Sequence, residues 1–385
     1  MGVLGVIDAD THLTEPVDLW TARLPARFRD RAPRVELHEP SGMLRWRIGD
    51  RWCSRVGNYS LAGWPEFPPS CPPTLEDANP AAYDAVARLA HMDAVGVEAQ
   101  VLYPNVIAFE GHAFLALDDE ELRLACVRTY NDYQSEFASI APERFVLLTM
   151  LPFWDVAESV DELRRCHAMG HRGVLWAAQL EKHGFPDFPD EHWDLIYAAA
   201  QELGLSINFH VGVGNTQEEI EQAMHGQGFD PAYNAARATM ALIGNTRTLT
   251  TLLTCGLLDR FPSLDFVSVE SGFGYIPYLL DSLDWTWKNG GAVERYPDRM
   301  LPSEYFFRQV YAMFWFEQEA LPLLAKYQDN VMFETDFPHP TCLHAGPGTY
   351  APMPGEVIAR DTAIVGDDVM RKVLHDNAAR VYHVG

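Results

Sequence analysis

The sequence predicts an α/β fold, a (β/α)8 barrel, and three observations carry that reading. Strand-sized apolar runs alternate with longer amphipathic stretches, the alternation counts to eight, and several runs stop at a polar residue able to bind a metal. Alternating βα units build parallel sheets, and in a barrel the strand ends meet at one mouth. A doubly wound sheet is the alternative, but no glycine-rich phosphate turn follows the first run. The 385 residues suit either two average domains or one large barrel with insertions. The reading taken is a single domain over residues 1–385, with 17–90 an insertion after the first strand.

The eight runs are Val6–Asp10, Ala99–Tyr103, Phe145–Leu151, Gly173–Trp176, Ser206–His210, Asp265–Glu270, Gln309–Ala312 and Val331–Asp336. Helix-like segments such as DAVARLAHMDAVG, VAESVDELRRCHAMG and DEHWDLIYAAAQELG lie between them and end in Gly96, Gly170 and Gly204, the residue type that closes helices. Residues 17–90 break the repeat. There MLRWRIGDRWCSRVG reads as a hairpin turning at Gly49-Asp50, amid a cluster of prolines. The insertion leaves the first strand on the side where barrel loops form the active site, as a lid, a dimer contact or a mere excursion. A second Pro/Gly-rich stretch follows the eighth run and borders the same mouth.

Formal charge is −25, from 29 basic and 54 acidic residues, which argues against a nucleic-acid partner. No apolar run reaches membrane-spanning length and no secretory leader opens the chain, so a cytoplasmic location without a membrane partner is expected. Six well-separated cysteines without CxxC spacing point to reduced, mostly buried thiols.

Asp10 and His12 sit two apart at the end of the first run, so period-two alternation sends both side chains to one face. A lone DxH is weak on its own, and the bland reading is a hydrogen-bonded pair closing the barrel. Asp8 lies one step deeper, where it could support a ligand. His210 ends SINF; a single strand-end histidine is often a satisfied core residue, and only the other two segments raise it to a ligand. Asp336 ends VMFETD, where a carboxylate can both ligate an ion and move a proton. His339, three residues on, could bind substrate or donate a proton. Glu270 ends FVSVE and could be a ligand, a general base or the partner of an arginine. Glu15 could cap the site, pair with an arginine or ligate the ion directly. Aromatics at strand mouths, among them Tyr103, Trp176, Phe273 and Phe314, suggest a flat substrate, although aromatics also fill cores.

With these residues placed, the chain resembles the amidohydrolase superfamily, in the branch that includes aminocarboxymuconate-semialdehyde, γ-resorcylate and 5-carboxyvanillate decarboxylases. The resemblance spans nearly the whole chain: IDADTH, PERF at Pro142–Phe145, His210, Gly274 with Pro277, TDFPHP, and HDNAARVYHV with Asn377, Ala378 and Arg380. It implies a distorted TIM barrel with one divalent ion, Zn or Mn, held by Asp10, His12, His210 and Asp336. Two departures stand out: Asp10 replaces the first histidine of the more usual HxH, and Glu270 stands where many members have a strand-six histidine. The harder oxygen ligand admits Mg as well.

The function expected is metal-dependent, non-oxidative decarboxylation of an aromatic or enol carboxylic acid, with Asp336 delivering a proton and His339 and Glu270 as further catalytic residues. Glu15, Tyr103, Trp176, Phe273 and Phe314 are the expected substrate-binding set. The alternative is a hydrolase of a lactone, ester or amide with Asp336 as general base; a barrel without catalysis, serving only to bind, comes third. The expected partner is a small, aromatic molecule, and the resemblance, more than the residues, suggests a homodimer.

Overall fold

The computed structural model describes residues 5–177, 180–213 and 230–385. The strands in chain order are β1 (Val6–Leu13), β2 (Arg34–His38), β3 (Met43–Ile48), β4 (Arg51–Arg55), β5 (Val97–Pro104), β6 (Phe145–Met150), β7 (Gly173–Trp176), β8 (Ser206–His210), β9 (Phe266–Val269), β10 (Val310–Phe314) and β11 (Val331–Phe333). Eight of them form a parallel sheet in the order β1-β5-β6-β7-β8-β9-β10-β11, a nearly closed (β/α)8 barrel surrounded by helices. The other three, β2-β3-β4, form an antiparallel sheet inside the 17–90 insertion.

The chain divides into two compact units. The first comprises Gly5–His171 and Thr335–Val357. Here β1 pairs with β5 from Val6↔Val97 to Leu13↔Pro104, with a register irregularity between Asp8 and Thr11, and β5 pairs with β6. Every residue of β1 is buried, as expected of a strand covered on both faces. The helix Ala85–Val95 opens at Asp84, whose carboxylate accepts from the Ala87 amide, and closes at Gly96, whose φ of 77° suits glycine. The hairpin of β3 and β4 turns at Gly49-Asp50, as the sequence indicates.

The second unit comprises Arg172–Glu334 and Ile358–Gly385. It holds β7 to β11 in parallel register. Phe209 and Phe266 stack on neighbouring strands, and Tyr197 of the helix Asp194–Leu203 packs against Phe266. The closing motif has a structural purpose: Asn377 donates to the carbonyls of Gln328 and Val331, both at 2.7 Å, and Arg380 donates to that of Asp329 at 2.9 Å.

Gly173–Trp176 and Ser206–His210 match the sequence reading at both ends, and the other six strands differ from it by one to three residues at one end or both. Gln309 ends the helix Pro302–Gln309 and does not open β10, and its side-chain amide donates to the Phe261 and Leu264 carbonyls. β9 stops at Val269, where Glu270 takes a left-handed backbone angle no strand contains, and β11 stops at Phe333, three residues before Asp336 does the same. All six cysteines are unpaired thiols. Among the described residues no helix is long and apolar enough to cross a membrane.

Candidate metal centre

The first unit brings together the end of β1 and the segment after β11. The His12 amide donates to Phe337 O at 2.7 Å and the Asp336 amide to Asp10 O at 3.0 Å, so the backbone itself zips DTH to TDF. Asp8 tightens the zip one step deeper, accepting from the Thr335 amide at 2.9 Å and its hydroxyl at 2.6 Å. Burial pushes the Asp8 carboxyl up to about 7 against these hydrogen bonds.

His12 is oriented by Pro104 O, 3.3 Å from Nδ1, so Nδ1 donates there and Nε2 is turned to the carboxylates. Nε2 faces Asp10 Oδ1 at 3.5 Å and Asp336 Oδ1 at 3.6 Å, with all three side chains wholly buried. Two buried carboxylates this near one imidazole nitrogen call for positive charge among them, from a proton on the ring or from a cation. A ligating histidine characteristically gives its other N–H to a backbone carbonyl, as here. Donor atoms of His12, Asp336 and His339 lie within 4.8 Å of one another, so the residues present suit a divalent ion.

Asp336 adopts φ 58°, and such a conformation costs a non-glycine residue about 1–2 kcal/mol. Its carboxylate accepts from the Thr341 hydroxyl at 2.8 Å and meets His339 Nδ1 at 2.9 Å. The His339 ring stacks on His12 at 3.6 Å, and its Nε2 lies 2.8 Å from Asn105 Oδ1. Asn105 is held in turn by Glu15, one of whose oxygens takes the amides of Asn105, Val106 and Ile107 at 2.8–3.3 Å. Burial lifts the Glu15 carboxyl to about 7. Glu15 thus shapes the loop behind His339.

The second unit repeats the construction. His210 Nδ1 lies 2.6 Å from Val211 O, which leaves Nε2 facing Glu270 Oε2 at 3.6 Å. Glu270 has φ 52°, and its amide donates to Glu334. Glu270 and Asp336 are two of the three non-glycine residues with positive φ among those described.

The expected aromatic set divides. Tyr103 lies 5.8 Å from the His12 ring. Trp176 packs on Trp193 and Tyr197, and Phe273 on Tyr327, so both have neighbours in the helical layer; Phe314 is buried within β10. Three neighbours of the site escaped the sequence reading: Asn105, Phe109 (5.7 Å from His12) and Tyr59 (5.8 Å from His339). Tyr59 belongs to the insertion, where the Leu61 and Ala62 amides both donate to Pro338 O. No motif marks these three; only their order after β5, or inside the insertion, hints at them.

The amidohydrolase family model matches residues 7–384. The chain belongs to that family. Among curated relatives, this amidohydrolase is 25% identical over 270 residues to γ-resorcylate decarboxylase of Rhizobium sp. (strain MTP-10005), covering 67% of this chain and 78% of that one. Among solved structures, an amidohydrolase of Mycobacterium avium subsp. paratuberculosis K-10 superposes with a TM-score of 0.76 at 22% identity, covering 99% and 98% of the two chains. A dihydroxybenzoic acid decarboxylase of Polaromonas sp. JS666, solved with manganese and the inhibitor 2-nitroresorcinol, gives a TM-score of 0.58 at 17% identity over 98% and 97%. These similarities bear out the family and barrel read from the sequence.

Proposed function

We propose that this amidohydrolase is a metal-dependent, non-oxidative decarboxylase of an aromatic carboxylic acid. The observation that carries the reading is the setting of Asp336: a fully buried carboxyl that accepts from the Thr341 hydroxyl and lies 2.9 Å from His339 Nδ1, with the rings of Phe109 and Tyr59 set against those of His12 and His339. An acid in a dry, ring-lined place suits proton delivery to carbon better than the handling of a hydrolytic water. The decarboxylases among the relatives and neighbours support it.

Asp10, His12, His210 and Asp336 would hold the ion, with Glu270 beside His210. When bound, the ion supplies charge stabilisation for a carboxylate and an adjacent hydroxyl oxygen. Asp336, protonated, gives its proton to the ring carbon that bears the carboxylate. The carbon–carboxylate bond then breaks, its electron pair restores the aromatic ring, and CO2 leaves. Asp336 is left ionised and regains a proton for the next turnover, with His339 holding its carboxylate in place. Tyr103, Phe109 and Tyr59 exclude water from this step.

The test is a panel of phenolic acids and lactones incubated with manganese-loaded protein in deuterated water. The expected result is CO2 release from a phenolic acid, with deuterium at the carbon that lost the carboxyl. Acid release from a lactone without CO2 from any carboxylic acid would replace this reading with hydrolysis.

A further inference from the structure

A wholly buried arginine lies outside every reading given so far. Arg88, in the helix Ala85–Val95, has no solvent exposure. Its guanidinium donates to Ala81 O, to Gln100 Oε1 at 3.1 Å and to His12 O at 2.6 Å, with a longer contact to Ala82 O at 3.4 Å. The cation also lies over the Phe337 ring, 4.8 Å from its centre. These acceptors are all neutral; the Asp8 carboxyl, to which the Gln100 amide donates at 3.4 Å, acts on the buried charge from beyond them.

A buried ion is a poor source of stability, since an apolar side chain of similar size does about as well. What an arginine alone can do is grip several carbonyls in one rigid fork. Here the fork joins the end of the insertion, β5 and the carbonyl of His12. The His12 amide is held from the other side by Phe337 O, and the Phe337 ring packs under the same guanidinium. Both backbone groups of His12, and the residue that follows Asp336, are thereby fixed.

We propose that Arg88 is a positioning residue for the metal centre, holding His12 and the segment after Asp336 in ligating register and so setting the affinity for the divalent ion. The inference rests on the reading of His12 and Asp336 as ligands. It also places the end of the insertion in the scaffold of the site, through Ala81 and Ala82.

The experiment uses the full chain, stripped by chelation and titrated with Mn2+ below the melting temperature of each variant, bound ion being read by electron paramagnetic resonance. Arg88→Lys keeps the charge and loses the fork. It is expected to bind Mn2+ roughly ten- to a hundredfold more weakly, the loss typical of groups that orient ligands. Its kcat at saturating Mn2+ should stay within about threefold of the parent. Gln100→Leu removes one acceptor of the fork and should weaken binding by about threefold. Parental affinity in folded Arg88→Lys overturns the proposal, whatever happens to the melting temperature. Should Arg88→Lys not fold, parental affinity in Gln100→Leu overturns it instead. His12→Ala separates the two readings: if it binds Mn2+ as the parent does, the ligand assignment fails, independently of Arg88.

Discussion

Replacing Asp336 by asparagine removes one ionisable oxygen and leaves nearly everything else in place. The residue sits at φ 58°, a conformation asparagine tolerates better than most side chains, so the backbone should hold. Its partners are the Thr341 hydroxyl and His339 Nδ1, and an amide can still offer one acceptor. In the metal-free protein the change also lowers the density of buried negative charge beside Asp10. Stability should therefore move by no more than about 1–3 kcal/mol, the range for one altered buried hydrogen bond. Turnover should respond far more strongly. Loss of a positioned general acid is worth about 10²–10⁴ in rate, and a weakened ligand adds to it, so a fall of about 10³, or roughly 4 kcal/mol of barrier, is expected. The assay is CO2 release by protein loaded to the same manganese stoichiometry as the parent, with thermal melting alongside. A folded, fully loaded Asp336→Asn variant retaining more than about a tenth of parental activity would refute both the proton-transfer role and the geometry that motivates it.

Glu15→Gln tests a pH dependence. With its carboxyl raised from 4.5 to about 7 in the fold, Glu15 contributes stability below pH 4.5 that is lost as pH rises towards 7. That amounts to about 3 kcal/mol, so melting curves of parent and variant should coincide near pH 4 and diverge by pH 8 with the variant higher; parallel curves would reject the buried, raised carboxyl. Asn377→Ala strands the carbonyls of Gln328 and Val331, and urea unfolding should show a loss of about 2–3 kcal/mol; a loss under about 0.5 would show that those groups find other partners. Chelation should abolish turnover and lower the melting temperature, and Mn2+ at about a hundred times its dissociation constant should restore both, adding about 2.7 kcal/mol; an unchanged melting temperature on chelation speaks against a resident ion.

Much was legible in the sequence because barrel strands are short, apolar and regularly spaced, and because a strand that ends in a charged residue announces a mouth. Asp10, His12, His210, Glu270 and Asp336 were singled out that way as candidates, although in the fold only His210 ends its strand. Trp176 shows where such reading stops. A strand-end aromatic carries no mark of which layer it joins, and Trp176 packs on Trp193 and Tyr197. Glu15 shows another limit, because a buried carboxylate that binds three backbone amides looks, in sequence, like one that awaits a substrate.

By itself the chain determined its eight strands, its family and the residue types available for an ion, since these follow from periodicity and local spacing. Only the tertiary structure decided which nitrogen of His12 faces the carboxylates, that Asp336 and Glu270 are held at positive φ, and that Asn105, Tyr59 and Arg88 attend the site. Those properties depend on partners tens to hundreds of positions away, and no local pattern encodes a carbonyl supplied by another strand.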